Sequence, residues 1–243
     1  MPYVSCIIYD LDGTLADTAP DITAAINRLR SSFGLSALEE DHVRRFIGDG
    51  PEGLLLRAIH GRVDDPIWKP EDILPRSAID MDELMAQFRG IYNEDPVVST
   101  KLKKGVAPML KHWQALGTAQ ILLTNKPHDI TEKVLQALYL DRIFDIVIGR
   151  GATSHDGQVL PHKPDGAIID WILEEMGSER EETYMIGDGV ADIEVAINGK
   201  IPCIAVLDGY TDAETLLAKL PNLELAATSI EHAHQLLLER HDD

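Results

Sequence analysis

Residues 4–15 read Val4-Ser5-Cys6-Ile7-Ile8-Tyr9-Asp10-Leu11-Asp12-Gly13-Thr14-Leu15. The apolar run Val4–Ile8 predicts a short buried strand. It ends in two carboxylates two residues apart, then a glycine that lets the backbone turn sharply. Acidic groups held this close repel and cost stability unless a cation or a reaction uses them. The carboxyl end of a strand is also where an open α/β sheet places its ligand site. The stretch therefore predicts a metal-assisted site around Asp10 and Asp12.

A chain of 243 residues has room for one large domain or two modest ones, with ample core. A hydrophobic fraction of 44% is ordinary for a soluble globular protein. No apolar stretch is long enough to span a bilayer. The N-terminus lacks the basic, apolar and small-residue succession of a signal peptide, so none is expected. Cys6 and Cys203 fall in predicted strands, and two buried thiols without an export signal point to a reducing cytoplasm. The net charge of −19 disfavours nucleic acid and anionic membranes as partners. An anionic small substrate stays open, because a metal and a few lysines reverse the local field.

After Thr14 the pattern turns helical for about eighty residues. Thr18 is placed to cap a helix carrying Pro20, Ile22, Ala25, Ile26 and Leu29, with Gly34 as its stop. Val43, Phe46 and Ile47 mark a second helix, ended by Gly48-Asp49-Gly50. Leu54, Leu55, Ala58 and Ile59 mark a third, and Met81–Ile91 a fourth, after a proline-rich loop over Asp64–Pro75. From Val97 strand and helix alternate. The expected strands are Ala119–Leu123, Phe144–Ile148, Tyr184–Ile186, Ile201–Val206 and Leu223–Ala226. The expected helices are Val106–Leu116, Ile130–Leu138, Pro164–Met176, Ala191–Asn198, Asp212–Leu220 and Ile230–Leu238. The alternation predicts an α/β fold, a three-layer parallel sheet with helices on both faces. The expected division is a Rossmann-like core over 1–15 and 97–243, with a helical cap over 16–96 inserted after the first strand.

Three further segments put polar groups at strand ends or helix starts. Leu122-Leu123-Thr124-Asn125-Lys126-Pro127 offers a hydroxyl and an amide. His162-Lys163-Pro164-Asp165 offers a lysine ahead of a helix. Ile186-Gly187-Asp188-Gly189-Val190-Ala191-Asp192 offers two more carboxylates. Parallel strands point their carboxyl ends one way, so Asp10, Thr124 and Asp188 share one edge whatever the strand order. Each segment also has a bland reading. Asp12 before Gly13 is a common turn pair, Thr124-Asn125 suits a plain loop, most exposed lysines are solvated, and Asp188 is placed to cap a helix. His128, His155 and His162 read as surface loop residues, and His232 and His234 show no metal-ligand spacing.

The ordered set Asp-x-Asp-Gly-Thr, Thr-Asn, Lys-Pro and Gly-Asp-x-x-x-Asp resembles the four motifs of the haloacid dehalogenase superfamily. Asp10 through Asp21, Phe46-Ile47-Gly48-Asp49-Gly50 and Thr124-Asn125-Lys126-Pro127 look most like its phosphoglycolate phosphatase branch. The resemblance implies a phosphatase that hydrolyses a small phosphate monoester, with 2-phosphoglycolate the leading named candidate. It implies that Asp10 is the nucleophile, forming an aspartyl-phosphate, and that Asp12 is general acid and then general base. Mg2+ would be held by Asp10, the backbone carbonyl of Asp12, and Asp188. Thr124 and Asn125 would bind phosphate oxygens, Lys163 would balance developing charge, and Asp192 would support the site from behind. Gly48-Asp49-Gly50 would face the leaving group from the cap, and Arg45, Arg57 or Arg76 would be the cations to meet a substrate carboxylate.

Rivals follow from the same residues. A phosphosugar mutase of the superfamily carries an arginine shortly after the cap glycine, where Pro51 and Glu52 stand here. A dehalogenase lacks the second aspartate of the first motif. A non-catalytic phospho-aspartate switch has no need of a helical cap or of Asp12, and turnover separates it from a phosphatase. Gly189 departs from the branch, which usually carries a small hydroxyl residue there. Oligomeric state is not readable from the chain.

Overall fold

A computed structural model describes residues 4–61 and 69–242. β1 (Cys6–Tyr9) is buried throughout, as a central strand covered on both faces must be. It leads through β2 (Ala16–Asp17) into four helices: α1 (Ala19–Ser32), α2 (Glu40–Arg44), α3 (Gly50–His60) and α4 (Met81–Glu94). The chain returns at β3 (Lys101–Leu102), which pairs antiparallel with β2. Alternation then begins with α5 (Val106–Leu116), β4 (Ala119–Pro127), α6 (His128–Ala137) and β5 (Ile146–Arg150). It continues with α7 (Ala167–Met176), β6 (Thr183–Gly187), α8 (Val190–Gly199) and β7 (Cys203–Val206). α9 (Ala213–Lys219), β8 (Ala226–Ala227) and α10 (Ile230–Asp242) complete it.

The main sheet has six strands in the order β5-β4-β1-β6-β7-β8, and every neighbouring pair is parallel. Strand alternation divides its side chains between two cores. Ile7, Tyr9, Leu122, Ile186 and Ile204 face α5, α6 and α10. Cys6, Ile8, Leu123, Met185 and Ala205 face α7, α8 and α9. This is the expected three-layer α/β arrangement. β1 lies between β4 and β6, so the chain winds outward from it in both directions and leaves a crevice at the strands' carboxyl ends.

α1–α4 pack on one another, and their apolar faces (Ile26, Leu55, Ile59, Leu84) run continuously into the first core. Arg30 is fully buried there and donates to the carbonyls of Ser36 (2.6 Å), Asp72 (2.9 Å) and Ala58. Its planar fork joins α1 to α3 and the turn Pro70–Asp72. Asp21, also buried, accepts from the backbone N–H of Val98 (3.0 Å), Ser99 (3.0 Å) and Thr100 (2.8 Å). That carboxylate fastens the segment leaving α4 to the helix that entered after β2.

Several boundaries differ from expectation. β4 runs on through Thr124–Pro127, because Pro127 still pairs with Arg150 of β5 beyond an irregularity in register. β5 is displaced toward Arg150, and Phe144 packs into the core without joining the strand. α2 ends at Arg44, and Phe46 and Ile47 follow in a tighter turn whose N–H groups bond three residues back. Gly50 opens α3 instead of ending α2. α7 starts at Ala167, whose N–H is capped by Asp165 at 3.0 Å. Leu223–Leu225 forms a 3-10 turn, leaving Ala226–Ala227 as the last strand. Thr18 makes no side-chain cap on α1. Of the proline-rich loop, residues 64–68 lie outside the described residues, and Pro70–Asp72 and Arg76–Ala78 are 3-10 turns. Cys6 and Cys203 are buried and unbridged. No described helix is long and apolar enough to cross a membrane.

Candidate active site

Asp10 follows the last residue of β1, and its N–H donates to the Ile186 carbonyl at 2.9 Å, fixing it to the end of β6. Asp188 follows β6 in the same way. It accepts from the Thr14 hydroxyl at 2.5 Å and the Tyr210 N–H at 2.7 Å. Asp192, in the first turn of α8, accepts from the Gly189 N–H at 2.8 Å. Lys163, ahead of α7, places its Nζ 2.9 Å from Asp10 Oδ1 and 2.6 Å from Asp192 Oδ1. All four side chains are buried. Carboxylate oxygens of Asp10, Asp188 and Asp192 lie within 4.8 Å of one another.

Burial raises the proton affinity of these carboxylates. Asp10 is pushed up to about 7, mainly by desolvation, with Lys163 opposing and Asp192 and Asp188 adding to the rise. Asp188 is pushed up to about 6 by desolvation and Asp192, against the donors Thr14 and Tyr210. Burial works against the charge on Lys163, but Asp10 and Asp192 outweigh it and hold the ammonium above the ordinary lysine range. Fully ionised, Asp10, Asp12, Asp188 and Asp192 carry four negative charges against two positive ones on Lys163 and Lys126. The uncompensated pair matches one divalent cation. Hard carboxylate oxygens suit magnesium. The backbone is shaped around this cluster: Gly13 has φ +89, and a Cβ there would lie 2.3 Å from Asp188 Oδ2. Gly209 closes the other side, where a Cβ would lie 2.1 Å from the Asp188 Cβ. The donor set fits the expected metal.

Asp12 faces different partners. Its Oδ1 accepts from the Thr18 hydroxyl at 2.6 Å and from Lys126 Nζ at 3.0 Å. Lys126 is buried, lies 4.7 Å from the centre of the Tyr92 ring, and is held charged by Asp12 in spite of desolvation. Thr124 and Asn125 sit beside it in β4, both buried. The Thr124 hydroxyl accepts from the Lys126 N–H at 3.3 Å, which leaves its proton to donate. The Asn125 amide donates to the carbonyls of Lys163 (3.2 Å) and Gly48 (3.4 Å), tying β4 to the turn before α3.

These groups open into a cleft between the sheet edge and the helices. Asp10, Asp12, Thr124, Asn125 and Lys126 form its floor on the sheet side. Gly48 and Gly50 line it from the helical side, but Asp49 does not; it is exposed and pairs with Arg57. Arg57 also donates to the Phe46 carbonyl at 3.0 Å. Arg45 and Arg76 are exposed and do not line the cleft.

Three polar residues at the site were given no role by the sequence. Lys126 stood inside a quoted motif, and its position beside a strand end that also carries carboxylates was an available signal. Tyr210, in the loop after β7, accepts from the N–H groups of Thr18 (2.7 Å) and Ala19 (2.9 Å) and donates to Asp17 at 2.9 Å. Lys103 donates to the Gly13 carbonyl at 2.9 Å and to Asp208 at 2.7 Å, bracing the turn after Asp12. No spacing marks the last two; only the shared sheet edge brings them near.

The arrangement is matched elsewhere. A family model described as haloacid dehalogenase-like hydrolase matches residues 7–206. Phosphoglycolate phosphatase 1 of Pseudomonas aeruginosa is 31% identical over 89% of this chain and 74% of its own length. The phosphoglycolate phosphatase of Chromobacterium violaceum is 28% identical over 98% of each chain. A crystal structure of a predicted phosphoglycolate phosphatase from Haemophilus somnus superposes with a TM-score of 0.78 at 24% identity, covering 98% of this chain and 99% of that one. Motifs in order along the chain, their convergence at one sheet edge and the match over most of the length lead to one assignment: the chain belongs to the haloacid dehalogenase-like hydrolase family.

Proposed function

We propose that the protein is a magnesium-dependent phosphatase that hydrolyses a small phosphorylated metabolite, a phosphate monoester, to its alcohol and inorganic phosphate. The observation that carries this reading is the buried cluster of Asp10, Asp188 and Asp192 beside Lys163, at the carboxyl edge of the sheet. In this reading residues 1–15 and 97–243 form the catalytic core, and residues 16–96 form a cap over it. The names of the relatives make 2-phosphoglycolate the first ester to test.

Asp10 attacks phosphorus, forming an aspartyl-phosphate as the ester P–O bond breaks. Asp12 gives a proton to the departing alkoxide. It then takes one from water as that water attacks phosphorus and the bond to Asp10 breaks. Lys126 and Thr18 both donate to Asp12 and keep its carboxylate aimed through the exchange. Thr124 donates to a phosphate oxygen, and Lys163 offsets charge between nucleophile and phosphoryl group. Asp10, Asp188 and the backbone carbonyl of Asp12 would hold magnesium, with Asp192 supporting them through Lys163 and Gly189. When bound, the cation neutralises phosphate oxygens and keeps Asp10 ionised at neutral pH.

Release of inorganic phosphate with magnesium present tests the reading. Asp10→Asn is nearly isosteric, so it should lower turnover roughly 10³-fold or more while the protein still folds. Normal turnover in that variant would remove Asp10 from its role, and absence of any ester hydrolysis by the parent would favour a phospho-aspartate switch.

A further inference from the structure

The helical wall of the cleft is chemically one-sided. Ile22 of α1, Ile47 of the turn, Pro51 and Leu54 of α3, and Phe88 and Tyr92 of α4 form it, together with Gly48 and Gly50. The rings of Phe88 and Tyr92 meet at 5.7 Å and tilt 38° to each other, a packed aromatic surface. Tyr92 is almost wholly buried, which pushes its phenol up to about 12 and keeps it neutral. Among the described residues, the cations of α1–α4 all point elsewhere. Arg28 pairs with Glu94 at 2.5 Å, Arg44 with Asp17 at 2.9 Å, and Arg89 with Asp129 at 3.1 Å. Arg57 is taken up by Asp49, and Arg30 by backbone carbonyls. The cation that does line the cleft, Lys126, is bound to Asp12.

A leaving group with its own carboxylate would lose water against this wall and gain no cationic partner among the described residues of α1–α4. It would also enter a site that already holds four carboxylates. An uncharged, apolar leaving group meets the opposite balance, because it removes hydrocarbon surface from water on both sides. Pro51 sharpens the point: it lines the wall, and the Arg150 guanidinium beside Gly50 is taken up by Glu52 at 3.0 Å.

We infer that the substrate is a phosphate monoester of an uncharged alcohol with an apolar body of several carbons, gripped by Ile22, Ile47, Leu54 and Phe88, and that carboxylate-bearing esters are poor competitors. The inference rests on the phosphatase reading and deepens it. The reaction stays as balanced above; only the alcohol that leaves is specified.

The test compares n-pentyl phosphate, glycerol 3-phosphate and 2-phosphoglycolate, whose leaving groups differ in apolarity and charge. With magnesium, kcat/KM for n-pentyl phosphate should exceed that for each of the others by roughly tenfold or more. Ile47→Lys places a cation in the wall at a partly exposed position, and should shift the pentyl-to-glycolyl ratio toward 2-phosphoglycolate by a similar factor. Calorimetry on Asp10→Asn reads the wall without turnover. n-Pentyl phosphate should bind more tightly than 2-phosphoglycolate and with the more negative heat-capacity change. Equal or better use of 2-phosphoglycolate by the parent protein would overturn the inference, as would equal binding of the two esters to Asp10→Asn. Equal use of n-pentyl phosphate and glycerol 3-phosphate would reduce the wall to charge exclusion and overturn it too. If no ester is turned over but Asp10→Asn still prefers n-pentyl phosphate, the apolar wall stands and the phosphatase reading falls.

Discussion

Asp10 and Asp188 are carboxylates that the fold pushes toward neutrality, at about 7 and about 6. The sign of the resulting pH dependence follows directly. A carboxyl whose folded value is raised binds its proton more tightly in the native state, so its contribution is full below the unfolded value of 3.8 and is lost as pH rises through 6 and 7. The metal-free protein should therefore melt at progressively lower temperature as pH rises from 5 to 8 at this site. Magnesium binds the ionised form, so it should raise the melting temperature more at pH 8 than at pH 5. Scans at both values, with magnesium and with a chelator, check this; an equal shift would contradict it. The same cluster ranks its members. Asp192 gives one oxygen to the Lys163 ammonium at 2.6 Å, whereas both donors on Asp188, the Thr14 hydroxyl and the Tyr210 N–H, are neutral and leave its charge for a cation. Asp188→Asn should weaken magnesium more than Asp192→Asn, whose loss as a supporting group costs ~10–100-fold. Titrations of the two variants decide, and a larger loss at Asp192 would exchange the roles.

At the scale of elements, two connections cross between the sheet and α1–α4, and one carboxylate joins them. Asp21 sits in the first turn of α1 and accepts from successive N–H groups at residues 98–100 and from the Thr100 hydroxyl at 2.7 Å. Hydrogen bonds to a charged acceptor contribute roughly 1.5–3 kcal/mol each way they are measured. Asp21→Asn keeps the shape but replaces one acceptor oxygen with a donor facing donors. It should destabilise the protein by about 2 kcal/mol or more, read as a lower denaturation midpoint at unchanged slope. A neutral result would mean that residues 98–100 are held by something else. The turn before α3 behaves differently from its sequence reading. Asp49 faces Arg57 and solvent instead of the cleft. Asp49→Ala should accordingly leave the order of ester preference as it is, which kinetics on two dissimilar esters would show.

Across the whole molecule, the phosphatase reading divides the work between core and helical segment. Lys163 touches Asp10 and Asp192, which every ester would meet alike. Lys163→Ala should lower kcat/KM for all esters by one common factor. It should also cost roughly 3–5 kcal/mol of stability, since it strands buried charge. Unequal losses among esters would place Lys163 in the specificity surface. The wall opposite is where preference between esters should reside, and Ile47 and Leu54 are its adjustable points.

The sequence by itself determined the α/β class, the parallel sheet and the set of acidic strand ends. Strands buried on both faces must be nearly all apolar, and helices must repeat their apolar residues every third or fourth position, so both patterns are written locally. Asp10, Thr124 and Asp188 were readable because parallel strands bring their carboxyl ends to one edge without further information, whereas Lys163 and the role of Asp12 were readable from the resemblance of the ordered motifs. The tertiary structure decided what lies across the cleft from them. That Asp49 turns outward, that Lys126 and Thr18 meet at Asp12, and that Tyr210 ties Asp188 to the start of α1 depend on side chains from elements up to 193 residues apart. Direction and distance across such gaps are set by how α1–α4 pack against the sheet, and no local periodicity encodes that packing. The strand β4 running past Leu123 has the same origin, since its partner β5, not its own residues, extends it.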